Sequence, residues 1–440
     1  MKVLIGAALL TFWTCGLRAL TLQEAMESAL QHNPQIQESR AALEKAAGNR
    51  LVLRAISFPD AGLIGVAGVQ GGKRTEQSST QAFGFVQGNF AQPLFNMAVP
   101  PSRRRGDLEI LIAEQQLNVA VVEQLHQTRI AFYTALYNRS LESLRRSQAQ
   151  QLEENIRTQQ ARFDAGTTDR GSVTAATVQA RELDPQIETA NRTYRGALVA
   201  LAQAMGNQLG SGATLPSPEG ELRFEPTNFV LANETASALA QRADLKLARL
   251  LVRAANEDQR IVQADYYPSI KAVVSGDYIP VSGVRRSGED SPHRSDDFIS
   301  SEIRAGASYT WRVIDNGKVG GAALRQREIS AINNLLLEQL EANVSRDLLR
   351  IQGDFATSEA REKSLSGMET LAQQNVRVVQ GTMAQGLASQ LELRDAENSL
   401  LAAREGLLSA AYQTNVTRAE WDRVTGRYFQ FSDDTAANVH

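Results

Sequence analysis

The chain has 440 residues and a formal net charge of −3, so it offers no electrostatic reason to bind nucleic acid. Aromatics make up only 6%, and Ala, Gln, Leu and Arg crowd long stretches, a mixture that reads as long helices rather than a compact α/β core. The histidines (His32, His126, His293 and His440) are scattered without metal-ligand spacing, and the single cysteine, Cys15, cannot build a disulfide framework.

The N-terminus carries Lys2, an apolar run over 3–13 and then small residues up to Ala19. This is a secretory signal pattern over 1–19, with a cut expected after Ala19. Cys15 leaves with it, and Phe12, Trp13 and Thr14 make a poor lipoprotein cleavage box before it. Further on there is no run of about 20 apolar residues, so no membrane helix is expected. An exported chain of that kind is periplasmic, secreted or a β-barrel.

The first structural half is expected over 20–206. A helix pair over about 22–57 stops at Pro59, because proline disfavours helix for the residue before it. Strands of about 61–72 and 83–95 follow, rich in glycine and aromatics. The glycines at 62, 65, 68, 71 and 72 do not make a phosphate loop, since Lys73 is followed by Arg74 rather than Ser or Thr. The run Arg103, Arg104, Arg105 is read as decoration of a helix start. A helix over 100–162 then turns at Gly166 into a second one. There Val173, Ala176, Ala180, Leu183, Ile187, Ala190, Tyr194, Ala197, Leu201 and Ala204 step by threes and fours as a coiled-coil seam. Pro185 within that seam predicts a kink or local irregularity. Helices of about 65 residues are roughly 100 Å long, too long to fold around one compact core.

A Pro/Gly/Ser-rich connector over 207–230 precedes a second copy of the same order over 231–426, with a tail at 427–440. Ser28-Ala29-Leu30 reappears as Ser237-Ala238-Leu239, and Arg40 and Pro59 match Arg249 and Pro268, all at an offset of 209. Gly166 matches Gly386 and Gly206 matches Gly426 at an offset of 220, the difference of 11 entering at the polar loop 282–297. A constant offset across two long blocks marks a duplicated half. The second copy contains a helix pair over about 234–266, strands of about 269–281 and 299–314, and a helical hairpin whose first arm is 318–385. In the second strand Ile303, Ala305, Ala307 and Tyr309 alternate with Glu302, Arg304, Gly306 and Ser308. Strands of about ten residues with one apolar and one polar face, and aromatics near their ends, describe a transmembrane barrel. Four strands cannot close one, and an open edge in hydrocarbon leaves backbone groups unpaired, so several copies must pool their strands. The helices by themselves also fit a periplasmic or surface coiled-coil protein without a conduit, while no carboxylate pair sits where acid/base catalysis would need it. An enzyme is not expected.

Two specific segments carry a resemblance. Arg162-Phe163-Asp164-Ala165-Gly166 is similar to the R-[FY]-x-x-G turn of the TolC family of outer-membrane efflux proteins, with a related segment over Val379–Gly386. Gln92-Pro93-Leu94-Phe95-Asn96 resembles that family's strand exit, with Trp311–Gly317 as its counterpart. The resemblance implies a mainly α fold with a small β part. Long helical hairpins and four transmembrane strands per protomer would complete a 12-stranded barrel and an α-helical barrel in a homotrimer. It implies an exit duct without cofactors, set in outer-membrane lipid with a periplasmic extension. Its partners would be a periplasmic adaptor and an inner-membrane pump of RND or ABC type, in efflux or type I secretion. The turns Gly166, Thr167, Gly386 and Leu387 would dock the adaptor. Glu392 and Asp395, six and nine residues after the second glycine, would form an acidic ring at a closed tip. Met383 and Ala388 stand where a family member has an aromatic residue and an arginine, so that member's lock is not expected here.

Overall fold

The computed structural model describes residues 20–74, 77–207, 214–225, 227, 229–280 and 299–428. The expected signal segment, the loop 282–297 and all but the first two residues of the tail lie outside this range. The described elements run α1 Leu22–His32, α2 Pro34–Ala55, β1 Asp60–Arg74, β2 Gln77–Phe95, α3 Val99–Asp164, α4 Arg170–Ala204, α5 Leu231–Gln241 and α6 Ala243–Gln263. A short 3-10 turn, Ala264–Tyr266, precedes β3 Ser269–Pro280, β4 Ile299–Thr310, α7 Lys318–Ala384 and α8 Gln390–Val424. The order is that of two like halves. No described helix is long and apolar enough to cross a membrane.

Boundaries differ from expectation in ways with local causes. β2 begins at Gln77 rather than near 83, because Ser78, Ser79 and Thr80 pair with Lys73, Gly72 and Gly71. β4 ends at Thr310 rather than near 314, and the Trp311 indole instead donates to the Tyr266 carbonyl at 3.2 Å. The second helix pair starts at Leu231. Pro185 lies inside an unbroken α4. It leaves one backbone bond unmade there, and the Thr189 hydroxyl donates to its carbonyl at 2.7 Å.

The chain divides into two compact units. One comprises the described residues of 41–115 and 244–339. Its sheet is antiparallel in the order β1-β2-β3-β4, so the hairpins of the two halves join through β2 and β3. The register puts Leu63, Gly88, Gly276 and Ile303 in one cross-strand row and Ala61, Phe90, Val274 and Ala305 in the next. The neighbouring rows on the opposite face hold Ile64, Gln87, Asp277 and Glu302, then Gly62, Asn89, Ser275 and Arg304. One face is therefore apolar and the other polar, as a period of two requires. In this unit the basic run is spent on neighbouring helices. Arg104 reaches Glu257 at 2.9 Å, Arg105 reaches Asp258 at 3.0 Å, and Arg103 donates to the Ser57 hydroxyl.

The other unit comprises the described residues of 20–40, 116–243 and 340–428. Ala176, Leu183, Ala190 and Ala197 are buried on α4 at intervals of seven, and Ala396, Ala403, Ala410, Thr417 and Val424 repeat the spacing on α8. This is the expected seam, with small residues that let helices approach closely. Its core gathers Ala25 of α1, Phe132, Ala135 and Leu136 of α3, and Ala197, Leu198, Leu201 and Met205 at the end of α4. In the second half the corresponding place is aromatic. Phe229 stacks on Trp421 at 5.4 Å, and Phe355 meets both edge-on. Arg427 lies over Trp421 and forks onto Glu234, and Tyr428 is buried, so the first tail residues belong to the fold.

Candidate functional site: the hairpin tips

Each long hairpin turns on a glycine in the left-handed region, Gly166 at φ +72° and Gly386 at φ +75°. The Gly166 amide donates to the Phe163 carbonyl and the Thr167 amide to that of Arg162. Gly386 and Leu387 donate likewise to Met383 and Thr382. These paired bonds satisfy the last carbonyls of a helix, the reason glycine is favoured there. No atom stands within 4 Å of where a Cβ would be on either glycine, and Leu387 is 77% exposed. The four expected turn residues thus come together as two open tips.

The second arm of each hairpin starts on a side-chain cap, but the carboxylate sits at different places. At α4 the N-cap is Asp169, whose carboxylate accepts from the Ser172 hydroxyl and backbone amide and is held below the usual range by those bonds. At α8 the N-cap is Ser389, and Glu392 closes a capping box by accepting from the Ser389 amide at 2.6 Å and its hydroxyl at 3.0 Å. The amide first, and then the hydroxyl, hold the Glu392 carboxyl low. Either arrangement satisfies orphan helix donors and favours a negative charge at the helix start. The Ser-x-x-Glu spacing of a capping box stands in the sequence, so this cap could have been found there.

Asp395 lies one turn on from Glu392, exposed, 3.9 Å from the guanidinium of Arg394. Leu393 and Ala396 between and beyond them are buried, so both carboxylates share the solvent-facing side of α8. Sequence reasoning missed Gln390, which donates to Asn155 and ties the start of α8 to α3. Among the described residues no cluster of three or more His, Cys, Asp or Glu is placed to hold a metal.

The family described as Outer membrane efflux protein matches residues 25–207 and 235–427, most of the chain and both halves. The chain belongs to the outer membrane efflux protein family. As a member it is an outer-membrane efflux channel with a periplasmic extension, a transport duct and not an enzyme. Solved structures share the efflux-protein fold at low identity. The Vibrio cholerae outer membrane protein VceC is 18% identical, with a TM-score of 0.74 over 92% of this chain and 96% of that one. The Campylobacter jejuni CmeC outer membrane channel is 14% identical, with a TM-score of 0.76 over 95% of this chain and 88% of that one. The outer-membrane channel OprN is 17% identical, with a TM-score of 0.75 over 93% and 91%. No curated protein sequence matches.

Proposed function

We propose that three copies of this efflux protein assemble into one channel-tunnel, the passive exit duct of a tripartite efflux or type I secretion system. One observation carries the assembly. The four-stranded sheet has an apolar face on which Leu63 is 82% and Ile303 81% exposed, and edge strands β1 and β4 with no further partner among the described residues. In hydrocarbon the face is stable and the edges are not; edges of neighbouring copies pair, and three sheets of four strands close a cylinder. A periplasmic adaptor coupled to an RND or ABC pump then engages the tips at Gly166, Thr167, Gly386 and Leu387. Purified protein should need detergent, migrate as a trimer after cross-linking and give stepwise conductance in planar bilayers. Buffer-soluble, non-conducting protein would overturn the reading.

The exposed pair Glu392 and Asp395 supports an acidic ring at the tip, six carboxylates around one axis that attract cations. Glutamine at 392 can still close the capping box while losing the charge. Glu392→Gln with Asp395→Asn should therefore weaken cation preference and block by polyvalent cations without melting the tip. Unchanged selectivity removes the role.

A further inference from the structure

A cavity of about 390 Å³ opens between α3, α7 and α8, beginning about one turn from the tip of the second hairpin. It exists because the seam fails there. Gln148 and Asn155 flank the buried Leu152 on the inward stripe of α3, with the exposed Gln151 at the rim, where larger apolar knobs would otherwise close the packing. Glu397 of α8 lines the same cavity, half-buried, with no hydrogen bond or ion partner among the described residues. Burial alone pushes its carboxyl up, a cost to the charged form that a cation seated beside it would offset. The other ionisable groups facing it are few. α3 adds a second carboxylate, Glu154, and α7 presents only Val376 and Gln380. Arg404, on the same helix as Glu397, is already bonded to Glu369 of α7 at 3.1 Å. The cleft is thus net acidic with apolar flanks at Leu152 and Leu393.

We propose that this cleft binds a linear aliphatic amine of the diamine or polyamine class, its ammonium on Glu397 and its methylenes along Leu152 and Leu393. A charge-assisted bond and apolar walls are the two features such a ligand needs. The test is calorimetric titration of the full chain in detergent with 1,6-diaminohexane, using 1-hexanol as the uncharged control. Saturable binding to the wild type is expected, at least about tenfold weaker for Glu397→Gln and lost in Gln151→Phe, which fills the cleft from its rim. Glu188→Gln, an exposed carboxylate on α4 outside the cleft, should keep wild-type affinity. The proposal is overturned if the wild type shows no saturable heat, as a cleft filled by water alone would. It is overturned equally if 1-hexanol binds as well, if Glu397→Gln or Gln151→Phe changes nothing, or if Glu188→Gln abolishes binding.

Discussion

The two hairpins of this efflux protein each end twice on a left-handed glycine, yet the two kinds of end are built differently. Gly166 and Gly386, at the tips, face open space. Gly206 and Gly426, where the hairpins return, have the same backbone at φ +79° and +73°, but are pressed against a helix junction. A Cβ on Gly206 would stand 2.4 Å from the carbonyl of His32, and one on Gly426 would stand 3.2 Å from the backbone of Gln241 and Arg242. The repeat copied one local device to four places, and tertiary packing made two of them structural and left two free. A residue that contacts nothing in its own chain is available to a partner, which is the physical basis for reading the tips as the docking surface.

The sharpest way to break the comparison is to add a methyl group at each position. Gly206→Ala combines left-handed strain of about 1–2 kcal/mol with a clash against backbone that has no rotamer to yield. A loss above about 3 kcal/mol in thermal or denaturant unfolding is expected. Gly426→Ala, with contacts looser by 0.8 Å, should cost less but more than strain alone. Equal costs at 206 and 386 would mean that the seated and the open ends do not differ.

Acid should sharpen the same contrast. Near the seated end of α8, the Glu420 carboxylate lies 3.2 Å from the His126 ring and 2.7 Å from the Arg423 guanidinium. Burial pushes its carboxyl up, but the hydrogen bonds from His126 and Arg423, and their charge, outweigh that and hold it well below the usual range. A depressed carboxyl contributes stability that is present above its unfolded value, about 4.3, and is lost as pH falls from there toward the folded one. Glu420→Gln should therefore cost about 2 kcal/mol at pH 7, with the gap from wild type narrowing below about pH 4. A penalty that does not change with pH would mean that the charge contributes nothing.

Much of this fold was legible because it is periodic. The heptad stripes of α4 and α8, the alternation through Ile303 and Tyr309, and the constant offsets 209 and 220 are all local regularities in the sequence. The joining of β2 to β3 was not legible, since edge pairing between distant hairpins leaves no mark in either. Nor was the seat of Gly206, because its contact, His32, lies far back in the chain and acts through backbone. Glu392 shows a third case. Its position relative to Gly386 suggested a gate, while the structure shows that its Ser-x-x-Glu spacing also makes a cap, and one carboxylate can serve both.

The smallest expected effect is at the tips themselves. Gly386→Ala carries only the left-handed strain, so about 1 kcal/mol should be lost, and Gly386→Asn should lose less, because asparagine tolerates that conformation. Ser389→Ala, which removes the cap three residues later, should cost a similar ~1 kcal/mol. These values hold for the protein alone. If a partner presses on the tip as the docking reading requires, a side chain at 386 will also obstruct the contact. Gly386→Asn should then weaken capture by the adaptor far more than it weakens folding. Gly386→Asn that binds the adaptor as the wild type does would leave the open tip without the role that its exposure suggests.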